Sequence, residues 1–400
     1  MNTDHTATTK NDMQVKSCFS TNIDPYRAGI EIGEELAAIH PEVIFLFPTI
    51  HYNGSPELVE AIYDVLESDD TVLIGNTGDG FYERHKVAGA GVSALGMNSG
   101  GAVRWHVAYE SDVGKTPFDA AAHCLTRLNA TCSASEAALY FLASDFRTDA
   151  SELIAALQET VTVPVVGGLA GDDYAFKHCF VYVNRMVLTD SIAILAVDGA
   201  ISYDIRVAHT LQPVGRPGEI TDSENTLIRT IDNIPAMDFI TRELGKPLDV
   251  VDEGNITFKL MEQEHDGRHR IRSLLLPGDG EQHSGVKLFG GVEQGNHVQV
   301  CLAPPDKIIQ DVRDIGNSLD NLPFKPVAAL IVSCAGRKKI LADDIEYEVQ
   351  EIVRSCQSLE ALAGYPSFGE FGPVKHAAGY SRALFHNMTF ILLLIGGTGK

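Results

Sequence analysis

The sequence predicts a mixed α+β fold: helix-covered mixed sheets built from a repeated unit. Three observations predict it. A short pattern, G-[DE]-x4-[KR]-H, occurs three times in the chain. Stretches with helical apolar spacing alternate with short, wholly apolar runs. A segment of alternating apolar residues, broken by Gly, Asp and Asn, precedes the last copy. A pattern repeated at this fixed spacing marks duplicated supersecondary units.

The three copies run from Gly78-Asp79 to Arg84-His85, from Gly171-Asp172 to Lys177-His178, and from Gly369-Glu370 to Lys375-His376. Apolar runs precede them at 72–74, 163–166 and, less clearly, 361–363. Before each run the spacing predicts an amphipathic helix. Over 55–67 the stripe is Leu58, Val59, Ile62, Val65 and Leu66, with Ser55 as cap and Pro56 in the first turn. Over 149–158, Asp149 and Glu152 resemble a capping box. Over 343–356 the stripe is Ile345, Val349, Ile352, Val353 and Cys356. Further back, the continuous apolar runs 43–47, 137–142 and 328–332 read as strands buried on both faces. Helices are expected ahead of these at 25–38, 117–128 and 305–319, and strands after each glycine loop at 92–97, 192–197 and 389–395. The unit is thus helix, strand, helix, strand, glycine loop, strand pair.

The middle of the chain breaks this rhythm. Residues 207–215 read as a strand entering a turn, and 216–246 as a linker with an edge strand before Asp232 and a helix from Pro235 to Leu244. Beyond Gly245-Lys246-Pro247, the segments 256–261, 271–276, 285–289 and 297–302 alternate as a β-meander.

Composition bounds the function. A length of 400 residues favours two domains. No apolar run reaches the length of a membrane span. The polar start of the chain reads as a disordered lead-in over 1–20 with no apolar signal core, which makes a cytoplasmic location the expectation. A net charge of −23 disfavours nucleic acid and anionic membrane surfaces. The seven cysteines form no C-x-x-C, so neither a zinc site nor covalent haem attachment is indicated, and reduced, buried thiols are expected.

In their order, several stretches resemble the FIST family, with FIST N and FIST C domains in tandem. They are 166–173 and 220–236 in the first half, and Ile271-Arg272-Ser273, 285–300, Ser333-Cys334-Ala335-Gly336-Arg337, 364–373 and Phe385-His386-Asn387 in the second. The resemblance implies a FIST N domain over 21–215 and a FIST C domain over 247–400. It implies a sensory, ligand-binding protein of signal transduction, working beside a histidine kinase or a cyclic-di-GMP enzyme. A similar stand-alone subset, the nitric-oxide-sensing NosP proteins, implies haem as cofactor and nitric oxide as signal. Amino acids are among the small ligands the family suggests.

The residues then divide between structural and functional roles. The glycine loops are no P-loop, and Gly167-Gly168-Leu169-Ala170-Gly171 lacks a full G-x-G-x-x-G with its helix. They set a tight turn or line a small-molecule pocket, with Gly168 and Gly171 as the lining candidates. Asp79, Asp172 and Glu370 stand where an acid caps the backbone donors of a turn. Each repeat histidine is either a strand-end side chain or a recruited haem-iron ligand. His178, among Tyr174, Phe176, Cys179 and Phe180, is the first candidate, ahead of His85, His376 and His386. Arg337, after a strand's C-terminal end, suits a ligand carboxylate or a haem propionate. His386 and Asn387 complete the candidates. His265, His269 and His283 fall in polar loops, and His106 beside Trp105 reads as core or rim. No G-x-S-x-G or H-E-x-x-H is present, so the reading is a non-enzyme. It leaves a haem-dependent gas sensor, a haem-free amino-acid or metabolite sensor, and a protein-interaction adaptor as alternatives.

Overall fold

The central strands of each repeat carry apolar residues on both sides because both sides are buried. The computed structural model describes residues 13–132, 136–209, 211–248, 256–261, 269–275, 285–377 and 379–397. Ile44 and Leu46 face the helices Pro25–Ala37 and Glu57–Leu66, whereas Val43, Phe45 and Phe47 face the centre of the molecule. The second repeat divides its strand Ala137–Ser144 in the same way, under the helices Pro117–Asn129 and Ala150–Thr160. The third does so with Ala328–Cys334, under Pro305–Asn317 and Glu346–Ser355.

Each repeat builds one six-stranded sheet. The first runs Gln14–Ser20, Val92–Asn98, Val43–Pro48, Val72–Asn76, Val181–Val183, Met186–Leu188. The second runs Val103–Ser111, Ser191–Gly199, Ala137–Ser144, Val165–Leu169, Glu370–Gly372, Leu384–His386. The third runs Ile201–His209, Thr389–Gly397, Ala328–Cys334, Ala361–Ser367, Phe81–Glu83, Lys86–Ala88. In each sheet the third and fourth strands are parallel and their outer neighbours are antiparallel. The three inner faces meet in one core, where Phe45 packs edge-on to Phe141 at 5.1 Å and Phe47 stacks on Tyr365 at 4.8 Å. Each such fully buried ring is worth roughly 1.5–3 kcal/mol of stability.

The last two strands of every sheet come from a different repeat. The hairpin after the first glycine loop joins the third sheet, that after the second joins the first, and that after the third joins the second. The exchange is cyclic and closes a threefold arrangement.

A barrel interrupts this symmetry. Strands Gly218–Glu224, Leu227–Ile231, Val286–Leu288, His269–Leu275, Ile256–Met261 and His297–Leu302 pair in that order, and the last returns to the first. Phe239 and Ile240 of helix Ala236–Leu244 fill its apolar interior. The barrel is inserted between the edge strand and the first helix of the third repeat. In the other two repeats those elements follow each other directly.

Four expectations change. Residues 14–20, read as lead-in, form an edge strand paired with Val92–Asn98, because alternation over so short a segment is weak on its own. Residues 216–246, read as a linker, supply two strands and the plugging helix of the barrel. The meander closes on those two strands instead of remaining open. Ser55 is not the cap residue itself: Pro56 occupies that position, and Ser55 Oγ accepts from the Glu57 N–H at 3.4 Å. Asp149 caps its helix through the Ser151 N–H at 2.9 Å. Among the described residues no helix is long and apolar enough to cross a membrane.

The parallel pair in each sheet holds a glycine at one place, Gly75, Gly167 or Gly364. A Cβ there would stand 1.7, 1.9 or 2.0 Å from the facing carbonyl of Leu46, Leu142 or Ile331. Gly75→Ala is therefore expected to lower stability by about 3 kcal/mol or more in urea unfolding, from forced backbone separation. Gly89→Ala, with open space around the new methyl, should stay within about 0.5 kcal/mol.

Candidate functional site

The repeated Gly-acid pairs mark the points where the chain leaves one sheet for the next. There the three loops touch in a ring. Asp79 N–H donates to the Pro366 carbonyl at 3.0 Å, Gly171 N–H to Thr77 at 2.8 Å, and Leu169 N–H to Gly369 at 2.8 Å. Gly168 and Gly171 pack against neighbouring loops. A Cβ on Gly168 would meet Tyr365 Oη at 2.8 Å, and one on Gly171 would meet Asp79 Oδ1 at 2.9 Å.

The acids bind backbone donors freed by the crossing. Asp172 accepts the N–H groups of Phe176, Lys177 and His178 at 2.8, 2.6 and 3.1 Å. Asp79 Oδ1 accepts Asp173 N–H at 2.5 Å, and the Lys338 ammonium donates to the Asp79 carbonyl. Glu370 accepts the Ser367 hydroxyl at 2.7 Å and the Thr389 N–H at 3.2 Å. Burial pushes the Asp79 carboxyl up to about 7 and the Glu370 carboxyl up to about 8.

The basic half of the motif goes elsewhere. His85, His178 and His376 are all exposed, on the hairpin segments that follow the crossings. His386 is buried instead: its Nε2 lies 3.0 Å from the Gly372 carbonyl, and its ring lies 4.8 Å from that of His209. Burial holds its pKa well below the usual imidazole range, so it is neutral. Arg337 does not reach a ligand position. Its guanidinium is fully buried and its Nε lies 2.7 Å from Glu348 Oε1, so the protein supplies the carboxylate itself. Arg147, at the related place in the second repeat, is likewise paired with Asp145 at 2.6 Å.

A cavity of about 40 Å³ opens where the second crossing, the barrel and the third repeat meet. Tyr174 and Phe176 come from the second crossing; Ser273, Leu275 and Phe289 from the barrel side; Cys334, Lys339, Phe368 and Asn387 from the third repeat. The aromatic wall is continuous, with Phe176 4.8 Å from Phe368 and 5.8 Å from Phe289. Ser273, Ser367 and Asn387 add polar groups to its lining. Ser273 is 8 % exposed, and its hydroxyl has no partner among the described residues. Asn387 Oδ1 accepts the Ser273 N–H at 3.1 Å, and its Nδ2 donates to the His386 carbonyl at 3.1 Å. Lys339 stands at the exposed rim, 5.5 Å from the Tyr174 ring centre. Burial drives the Cys334 thiol far above its ordinary range, so it is an inert piece of wall.

Of the sequence candidates, Asn387 lines this cavity, whereas His178, Arg337 and His386 do not. Ser273, Phe289 and Phe368 were missed as site residues, although each lies within a stretch that carried the family resemblance. Haem requires an axial side chain facing a slot wide enough for its macrocycle. His85, His178, His376 and His386 line neither this cavity nor the shallow groove between strand Ile201–His209 and helix Pro305–Asn317. None of these four candidate histidines is placed to ligate haem in either place.

Comparison with known proteins finds two family matches. The FIST N domain matches residues 10–234 and the FIST C domain residues 236–373. The boundary between them falls inside the barrel. An uncharacterised protein of Methanocaldococcus jannaschii is 24% identical over 241 residues, 57% of this chain; the match spans about half of that protein, 47%. Among solved structures, the cyanuric acid hydrolase of A. caulinodans aligns over 97% of this chain and 100% of its own at 10% identity and a TM-score of 0.34. PurLQS of Thermotoga maritima aligns over 97% and 73% at 10% identity and a TM-score of 0.22. Neither likeness bears on activity.

The two buried acids make stability depend on pH. Their ordinary values are 3.8 and 4.5, so the folded state binds protons more tightly than the unfolded chain. The protonated-state stability is complete below those values and is lost as pH rises through about 7 for Asp79 and about 8 for Glu370. Urea midpoints are expected to fall across that window. Asp79→Asn and Glu370→Gln should each flatten the decline.

Arg337→Ala is expected to lower stability by about 3–5 kcal/mol, because it strands Glu348 as a buried charge. The double change Arg337→Met with Glu348→Leu should recover most of the loss in the same unfolding measurement.

Proposed function

The chain belongs to the FIST family, whose domains are sensory ligand-binding modules of signalling, and we propose that it senses a small carboxylate-bearing metabolite, such as an amino acid, without haem. The Ser273 hydroxyl, without a partner among the described residues in a cavity with a continuous aromatic wall, is the observation that carries this reading. A buried polar group without a partner costs stability, and a ligand that bonds to it recovers that cost. Lys339 at the rim supplies the positive charge for a carboxylate. Phe176, Phe289 and Phe368 cover the apolar part.

The cavity's size explains how binding becomes a signal. At about 40 Å³ it admits a few heavy atoms in its closed form. A whole amino acid requires its walls to part. Those walls belong to separate bodies: the second crossing, the barrel and the third repeat. The ligand therefore favours a different barrel position from the empty protein, and that differential affinity is what signalling requires. A partner such as a histidine kinase would read the barrel's position.

Thermal unfolding with a panel of amino acids and other small carboxylates tests this. At least one compound is expected to raise Tm in the wild-type protein. Ser273→Ala should leave the free protein at least as stable as before, yet weaken that ligand about five- to tenfold, the worth of one hydrogen bond. Phe176→Ala should also weaken it. An absence of any shift, or equal shifts in both variants, would overturn the assignment.

A further inference from the structure

A separate set of metal-ligating side chains converges on the outer edge of the second sheet. Arg104 and His106 lie two apart on the edge strand Val103–Ser111 and so project to one face. Asp198 pairs across from Arg104 on the neighbouring strand Ser191–Gly199. Cys132 follows helix Pro117–Asn129 and is turned back by its N–H to the Leu128 carbonyl at 2.7 Å. His106 Nε2 lies 3.0 Å from Asp198 Oδ2, and Arg104 Nε lies 2.7 Å from Asp198 Oδ1. One donor atom from each of His106, Cys132 and Asp198 lies within 4.8 Å of the other two, the only such group of three among the described residues.

We propose that His106, Cys132 and Asp198 form a binding site for a divalent transition metal of the zinc class. An imidazole, a thiolate and a carboxylate together are a donor set that zinc and its neighbours accept. Around a tetrahedral ion with bonds of about 2.0–2.3 Å, the donors stand roughly 3.3–3.8 Å apart. The His106–Asp198 pair, at 3.0 Å, needs to open slightly, and the wider pairs, within 4.8 Å, need to close by at most about 1 Å. Two of the residues are already fixed by burial, Asp198 at 1% exposed and Cys132 at 2%. The His106 side chain is 20% exposed, which leaves an approach from solvent and room for a water as fourth ligand.

Arg104 does not compete for the ion. It holds Oδ1, while Oδ2 is the oxygen that faces His106. It therefore acts as an outer partner that fixes the carboxylate, a usual accompaniment of metal ligands. The three ligands lie on separate elements, so no local spacing in the sequence shows the site. A bound ion would tie the end of helix Pro117–Asn129 to the edge strand Val103–Ser111.

Cobalt(II) titration of the full, metal-free chain tests the proposal. A thiolate-to-cobalt charge-transfer band saturating at one equivalent, and bleached by zinc, is the expected result. Cys132→Ser should abolish the band while metal-free far-ultraviolet circular dichroism is retained. His106→Gln, at a partly exposed position, serves as a second variant if Cys132→Ser fails to fold, and should weaken cobalt binding by tenfold or more. An absent band in excess cobalt would overturn the site. So would a band that persists in Cys132→Ser, because it would come from another thiol, or cobalt affinity unchanged in His106→Gln.

Discussion

The structure depends on one constraint: at three points the chain leaves its own sheet inside a closed core. A buried crossing exposes backbone donors with no strand to satisfy them, and no water is at hand to do so. The acid of each Gly-acid pair meets this need. Asp172 takes three N–H groups by itself, whereas Asp79 and Glu370 each take one, and burial raises the carboxyls of these two. The glycines meet the companion need for space, since three chains pass within hydrogen-bond distance of one another. Exchange of hairpins then makes each sheet incomplete without another repeat. The repeats are thus stabilised jointly, and none of the three can bury its inner face alone.

The proposed binding site lies where the threefold arrangement is broken. Among the described residues only the third repeat carries the inserted barrel, and beside it a crossing loop faces the barrel across the cavity. The segment after Asp172 runs through Tyr174 and Phe176, both in left-handed backbone, before it joins a strand. That conformation costs energy for bulky side chains. Here it turns two aromatic rings toward the barrel. The cavity thus arises at the one crossing where a strained loop, an insertion and a strand end meet.

Much of this was legible in the sequence because the signals are local. The Gly-acid spacing, the helical stripes and the doubly buried strands are each written within a dozen residues. The exchange of hairpins is not, because pairing Glu83 with Ala363 is a contact between residues far apart in the chain. Arg337 shows the limit in miniature. A strand-end arginine invites a ligand, but Glu348, in the first turn of helix Glu346–Ser355, takes the guanidinium first. His178 shows another: its aromatic neighbours do face a cavity, yet the ring itself is turned to solvent. Closure of the barrel depended on strands before Asp232 that alternate too briefly to declare their partners.

The energy available at the cavity bears on how the sensor must be poised. A ligand there gains one or two net hydrogen bonds, about 1 kcal/mol each. Burying on the order of 100 Å² of apolar surface against the aromatic wall adds about 2.5 kcal/mol. Reversing a 1:99 equilibrium to 99:1 needs about 5.5 kcal/mol of differential affinity. A site this small therefore cannot drive a strongly biased protein from one state to the other. It can do so only if the open and closed barrel positions already differ by no more than about 2 kcal/mol, so that the same few contacts tip the balance. An aromatic wall shared between loop and barrel fits that requirement, because Phe176 keeps partners on both sides, Phe368 and Phe289, and can exchange one for a ligand at little cost.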